Sequence, residues 1–126
     1  NTISAFIKCM RASQGDAALY YLARMVVAGE DPLFIARRMV VFASEDVGLA
    51  DPKALILASS ALTAIEFVGM PEAQIILSHL TFYMATAKKS RDSYEAFNSQ
   101  MEKIKNEKIE EVPIRLTNNK KPRTSV

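Results

Sequence analysis

Long apolar-rich segments, separated by short polar turns, make up most of the chain. In one segment, Leu33, Ala36, Val40 and Ala43 return every three or four residues, the spacing that places them on one face of an α-helix. There is no strict alternation of apolar and polar residues, and no Asn-Gly or Asp-Gly pair marks a β-hairpin. The pattern therefore predicts six helices, at residues 2–12, 16–28, 32–47, 52–68, 71–86 and 91–108.

Glycine and proline punctuate the middle of the chain. A glycine following an apolar segment is typical of the position after a helix end, and Asp-Pro is typical of a helix start. Asp92, with Glu95 three residues later, has the spacing of a capping box for the last helix. Turns this short favour antiparallel packing, so the fold class is an all-α bundle of about six antiparallel-packed helices. The punctuating pairs are Gly29 with Pro32, Gly48 with Pro52, and Gly69 with Pro71.

Three of the predicted helices, 16–28, 52–68 and 71–86, are apolar on nearly every side, and 16–28 carries one interior charge, Arg24. Helix 52–68 carries only Lys53 and Glu66 as charges, one near each end. A helix that is apolar all round has to be covered all round. A second copy of the chain would supply that cover, so we expect a homo-oligomer with an apolar interface. The alternative is a tightly packed monomer with small alanine-rich contacts.

Helix 32–47 has a mixed face opposite its apolar one. Arginine together with exposed apolar residues is enriched at protein interfaces, so this face is a candidate recognition stripe. The alternative is a solvated face with its own salt bridges. The stripe consists of Phe34, Arg37, Arg38, Val41 and Glu45.

Composition and charge limit what the chain does. Its 126 residues, 49% hydrophobic and 24% charged, fit one globular domain, which we place at 1–111, with an irregular tail at 112–126. The net charge of +2 divides into 12 basic and 14 acidic residues in the domain and four basic residues in the tail. The domain is therefore no basic platform for nucleic acid. A DNA-binding module using the tail and the loop with Lys88 and Lys89 is the alternative function.

The sequence gives little support for chemistry. His79 is the single histidine and stands among apolar neighbours, which predicts a hydrogen-bonded core residue rather than a ligand. Cys9 is the single cysteine, so no internal disulfide forms. We expect it to be a small buried side chain in a protein of the reducing cytosol or nucleus. We assign no catalytic, cofactor-binding or metal-binding residue. The longest uncharged run, 73–87, is too short for a membrane span.

Several stretches together resemble the C-terminal region of the RarA/MgsA (WRN-interacting) family of AAA+ ATPases. The resemblance covers about residues 2–97. The stretches are DAALYYLARM at 16–25, AGEDPL at 28–33, IARR at 35–38 and ASEDVGLADP at 43–52, supported by TISAF at 2–6, GMPE at 69–72 and KS at 89–90.

This resemblance implies a role that the composition does not. It implies a helical domain similar to clamp-loader collar domains, which assembles its parent protein into a tetramer. The parent would be an ATP-hydrolysing, Mg-dependent AAA+ ATPase whose catalytic module lies outside this chain. It would act in replication-fork maintenance and recombination, with DNA and single-stranded DNA-binding protein as partners. Its location would be cytoplasmic, nucleoid-associated in bacteria or nuclear in eukaryotes.

Overall fold

The computed structural model describes residues 1–107 and 111–116, and this part of the chain is all-α, as predicted. Six α-helices form, and no strand occurs among the described residues. The helices are α1 (Thr2–Arg11), α2 (Gly15–Val27), α3 (Pro32–Phe42), α4 (Lys53–Val68), α5 (Ala73–Thr86) and α6 (Asp92–Asn106). Apart from α3, which ends at Phe42, and the end of α6, each helix bound lies within two residues of its predicted position.

The predicted glycine stops are confirmed. Gly29, Gly48 and Gly69 all have positive φ, a conformation that glycine adopts without a steric cost. The start of α3 is also as predicted, because Asp31 Oδ1 accepts the Leu33 amide at 2.9 Å and Pro32 is the first helical residue.

Three predicted helix starts are wrong. Pro52 is the N-cap of α4, which begins one residue later at Lys53. Pro71 does not open α5, which begins two residues later at Ala73 after a cis Met70–Pro71 bond. Asp92 is the first helical residue of α6 rather than its cap. The Ser90 hydroxyl accepts the Asp92 amide at 3.2 Å and so satisfies a donor that the helix leaves free.

The predicted helix 32–47 is not one regular helix. The α-helical pattern ends at Phe42, a π-helical turn runs over Ala43–Val47, and a 3₁₀ turn follows over Gly48–Ala50. The π-turn is wider than an α-turn, and such turns are frequent at functional sites. Here it gives the side chains of Glu45 and Asp46 directions that differ from those of a continuous α-helix.

Residues Asn1–Ala96 form one compact unit with a single core. Within it α1 packs on α2, α2 on α5, α5 on α4, and α4 on α3. The buried face of α4 is lined by small alanines, which lets its neighbours approach closely. The largest fully buried side chains are Phe6, Met10, Ile35, Met39, Phe42, Ile65, Leu77 and Met84.

A second unit begins at Phe97, within α6. Its described part contains the rest of α6 and a 3₁₀ turn at Ile114–Leu116. Most of the predicted tail, 112–126, lies outside the described residues, and so does the predicted helix end at 108. The division into a domain at 1–111 and a tail stays a prediction.

Candidate interaction surfaces and the Asp46 cluster

A buried carboxylate joins three separate parts of the first unit. Asp46 lies in the π-turn with its side chain only 3% exposed. Arg11, at the end of α1, donates to it from Nε at 2.9 Å and from Nη2 at 3.4 Å. Arg91, just before α6, donates from Nη1 at 2.6 Å. The two guanidinium groups supply the charge and hydrogen bonds that a carboxylate needs away from water.

Arg91 is the centre of the charged network around this carboxylate. It also pairs with Glu45 at 3.3 Å and, more loosely, with Glu95 at 3.8 Å. Its guanidinium lies 4.9 Å from the centroid of the Tyr94 ring, within cation–π range. The hydrogen bond to Asp46 is the main cause that raises the pKa of Arg91 above its ordinary value. We call Arg11, Glu45, Asp46 and Arg91 the Asp46 cluster.

The α5–α6 connector lies directly on the π-turn. The Ser90 amide donates to the Asp46 carbonyl at 2.9 Å. A Cβ placed on Gly48 would stand 2.8 Å from the Ser90 carbonyl oxygen, so the close approach requires glycine there. Two stretches of the recognised pattern, 43–52 and 89–90, therefore meet in space although they are far apart in sequence.

The two basic-loop candidates have different surroundings. Lys89 is half-buried, and its Nζ donates to the Ala85 carbonyl at 2.7 Å and to Ser13 Oγ at 3.0 Å. Burial lowers the pKa of Lys89 below the ordinary lysine value. Lys88 is exposed and makes no hydrogen bond or ion pair with the described part of the chain. Lys89 thus hydrogen-bonds a carbonyl in the last turn of α5, whereas Lys88 is exposed to solvent.

The structure separates the predicted stripe of α3 into two groups. Phe34, Arg37 and Val41 are exposed and Arg38 is half-exposed, on the regular part of the helix. Within residues 1–107 and 111–116, neither arginine forms an ion pair, so the salt bridges of the solvated-face alternative are not seen there. Glu45 falls in the π-turn and pairs with Arg91 instead. The role of the stripe in recognition stays a prediction.

The outer faces of α4 and α5 carry large apolar side chains in contact with solvent. This matches what the sequence indicates for two helices that are apolar on every side. A groove of about 390 Å³ between α2 and α5 adds to this surface and is lined by residues such as Val26, Val27 and Ile75. The exposed side chains are Leu55, Ile56, Leu57, Phe67 and Val68 on α4, and Ile75 and Phe82 on α5.

Two single residues differ from expectation to different degrees. His79 is exposed, so its assignment to the core is wrong; it points outward on the same side of α5 as Ile75 and Phe82. Cys9 is half-buried and packs against the core, close to the small buried side chain that was expected.

Among the described residues no group of three or more histidine, cysteine or acidic side chains is placed to hold a metal. No helix of this part has both the length and the apolar character to cross a bilayer.

These features define a class of protein: an all-α domain with exposed apolar helix faces and a buried polar cluster. Comparison of the sequence with known protein families then identifies its family. The family model for the C terminus of the MgsA AAA+ ATPase matches residues 12–125, and the chain belongs to that family.

Relatives come from bacteria and from a eukaryote. An uncharacterised AAA domain-containing protein of Mycobacterium tuberculosis is 52% identical over 92% of this chain and 26% of its own length. Replication-associated recombination protein A of Escherichia coli is 41% identical over 92% of the chain and 26% of its own length. The ATPase WRNIP1 of Dictyostelium discoideum is 42% identical over 92% of the chain and 13% of its own length. The chain thus spans about a quarter or less of these relatives.

Proposed function

We propose that this domain joins copies of an AAA+ ATPase into a homo-oligomer, a tetramer, that acts in replication-fork maintenance and recombination. The family match and the names of the relatives support the ATPase and the recombination role. The supporting observation for assembly is the outer face of α4, where a single copy leaves large apolar side chains in water.

The size of this surface favours a protein partner. Phe67 is 88% and Ile56 is 64% exposed, and Leu55, Leu57 and Val68 are each exposed by two fifths or more. Together they expose on the order of several hundred Å² of apolar area, which is the upper end of what a monomer shows. Full burial of one such side chain contributes about 1.5–3 kcal/mol, so several of them together offset the cost of association.

Joining the ATPase modules would act through local concentration. When one module of an oligomer binds a DNA substrate, the others are held close to it and bind as if at a raised concentration. In this proposal the parent protein uses ATP and Mg and works on DNA with single-stranded DNA-binding protein. The described residues contribute the assembly, and the catalytic module belongs to another part of the parent.

DNA contact through the basic loop and the basic tail is the second proposal. Most of the tail lies outside the described residues, and the geometry of the loop gives the proposal little support. Lys89 and Arg91 already bind groups of the domain itself, which leaves Lys88 as the free cation of this loop. A single exposed lysine contributes little to phosphate binding. Electrophoretic or anisotropy measurements with single-stranded and duplex DNA at low salt test this proposal, and affinity with a clear salt slope would support it.

Light scattering on the purified chain tests self-association. One copy has a mass of 14.0 kDa, so a tetramer would have four times that mass, about 56 kDa. In the variant Ile56→Asp/Phe67→Asp a buried charge would oppose association, and we expect the mass to fall towards 14.0 kDa. Val112, which is 64% exposed like Ile56, provides the control Val112→Asp.

The control distinguishes association through the α4 face from nonspecific hydrophobic association. We expect the Val112→Asp variant to have the same mass in solution as the unsubstituted chain, because Val112 lies outside the helices. A monomer in the unsubstituted chain at tens of micromolar, or an oligomer untouched by the α4 double variant, would contradict the proposed role of this face.

A further inference from the structure

We infer that the oligomer contains a two-fold contact in which α4 of one copy lies antiparallel along α4 of a second copy. This inference rests on the proposed self-association and names the surface that carries it. The observation is a line of four residues on the solvent side of α4 whose spacing is self-complementary.

The line lies directly opposite the buried face of the helix. Ala54, Ala58, Ala61 and Ile65 face the core. Advancing about 100° per residue, the outer side is occupied by Ile56, Ser60, Thr63 and Phe67. All four are exposed. Their spacing of four, three and four residues is that of the a and d positions in helices that pack along one another.

An antiparallel copy matches this line to itself. With the two-fold axis between Ser60 and Thr63, Ile56 faces the second copy's Phe67, and Ser60 faces its Thr63. Each d-type position then meets an a-type position, the arrangement that lets antiparallel helices interlock. The small hydroxyl residues at the centre allow the backbones to approach closely, while the large apolar residues close both ends.

Charge placement is compatible with this arrangement. No ionised side chain stands on the line itself, since Lys53 and Glu66 lie at its flanks. With a rise of about 1.5 Å per residue, the two copies of Glu66 would be separated by about 13 Å along the axis and the two copies of Lys53 by about 25 Å. Like charges therefore do not meet across the contact.

The corresponding line on α5 is a poorer match to itself. It consists of Ile75, His79, Phe82 and Thr86, all exposed. An antiparallel copy would set Ile75 against Thr86 and His79 against Phe82. Large residues would then face small ones at the ends, and a titratable ring would lie at the centre. The two-fold contact therefore falls on α4 rather than on α5.

Directed disulfide formation tests the contact and its direction. Ser60→Cys and Thr63→Cys are made in separate chains, each with Cys9→Ala, and one chain is labelled with a heavy nitrogen isotope. After mixing, reversible unfolding and mild oxidation, the antiparallel register places position 60 against position 63 of the second copy. Facing positions on closely packed helices fall within the distance that a disulfide spans. We expect heavy–light dimers to exceed their random share among all linked dimers.

The outcomes distinguish this contact from self-association itself. Ser44→Cys and Thr86→Cys, exposed positions away from the outer line of α4, serve as the matched control pair and should give only sparse linkage. An oligomer that links no more than this control, or that links only heavy–heavy and light–light pairs, overturns the antiparallel α4 contact while self-association stands. A monomer by light scattering under reducing conditions overturns both.

Discussion

Replacing Asp46 by asparagine isolates the energetic role of the Asp46 cluster. The amide keeps the size of the side chain and removes its charge. Three N–H contacts are affected, two from Arg11 at 2.9 and 3.4 Å and one from Arg91 at 2.6 Å. Hydrogen bonds to charged groups contribute about 1.5–3 kcal/mol each in favourable cases.

The net loss is smaller than the sum of these contacts. The side chains of Arg11 and Arg91 are 45% and 35% exposed, so water recovers part of their solvation when the carboxylate is gone. The 3.4 Å contact is also long and contributes little. We expect Asp46→Asn to lower the free energy of unfolding by about 2–3 kcal/mol, a large share of the 5–15 kcal/mol typical of a domain.

Urea unfolding followed by far-UV circular dichroism measures this loss. The protein concentration is held fixed because association shifts apparent stability. Glu45→Gln is the matched control, since Glu45 is half-exposed and contacts Arg91 at 3.3 Å. This variant should lower the free energy of unfolding by less than about 1 kcal/mol. Equal effects of the two variants, or an Asp46→Asn protein as stable as the parent chain, would refute the reasoning.

Two further substitutions test local geometry and ionisation. Gly48→Ala should lower the free energy of unfolding by about 2–4 kcal/mol, because the added Cβ would stand 2.8 Å from the Ser90 carbonyl oxygen. Gly29 also has positive φ but open space around it, so Gly29→Ala should lower it by only about 1 kcal/mol. Similar losses for the two variants in thermal unfolding would contradict the close approach at Gly48. The hydrogen bond from Tyr83 to Asp51 is the main cause that raises the pKa of Tyr83 above 10.0. Its stabilisation is therefore complete below pH 10.0 and lost as pH rises through the higher folded-state pKa, so Tyr83→Phe should flatten the alkaline part of the stability–pH curve, and an unchanged curve would count against this role.

Local signals made much of the fold predictable. The positive φ of Gly29 and the cap at Asp31 depend on neighbours within a few residues, so the sequence pattern indicates them directly. The number of helices follows from the glycine and proline residues between the apolar segments. The sequence pattern does not indicate the end of regular α3 at Phe42, because the turn after it is held by Arg11 and Ser90, residues distant in the chain.

Long-range placement set the limit for the candidate site. Arg91 lies 45 residues after Asp46, and no spacing rule connects them. His79 was misplaced for a related reason: when a helix is apolar on every side, its sequence does not show which side faces the core. For the same reason, the sequence of α4 does not show that Ile56, Ser60, Thr63 and Phe67 face solvent. The buried alanine face in the structure identifies this outer line.

Sedimentation equilibrium of the unsubstituted chain over a range of concentrations tests the central claim most directly. We predict an average mass near 56 kDa, four times 14.0 kDa, at micromolar protein concentration, and a lower mass only on strong dilution. A mass of 14.0 kDa at every concentration would show that one copy tolerates the exposed faces of α4 and α5, and it would contradict assembly as the role of this domain.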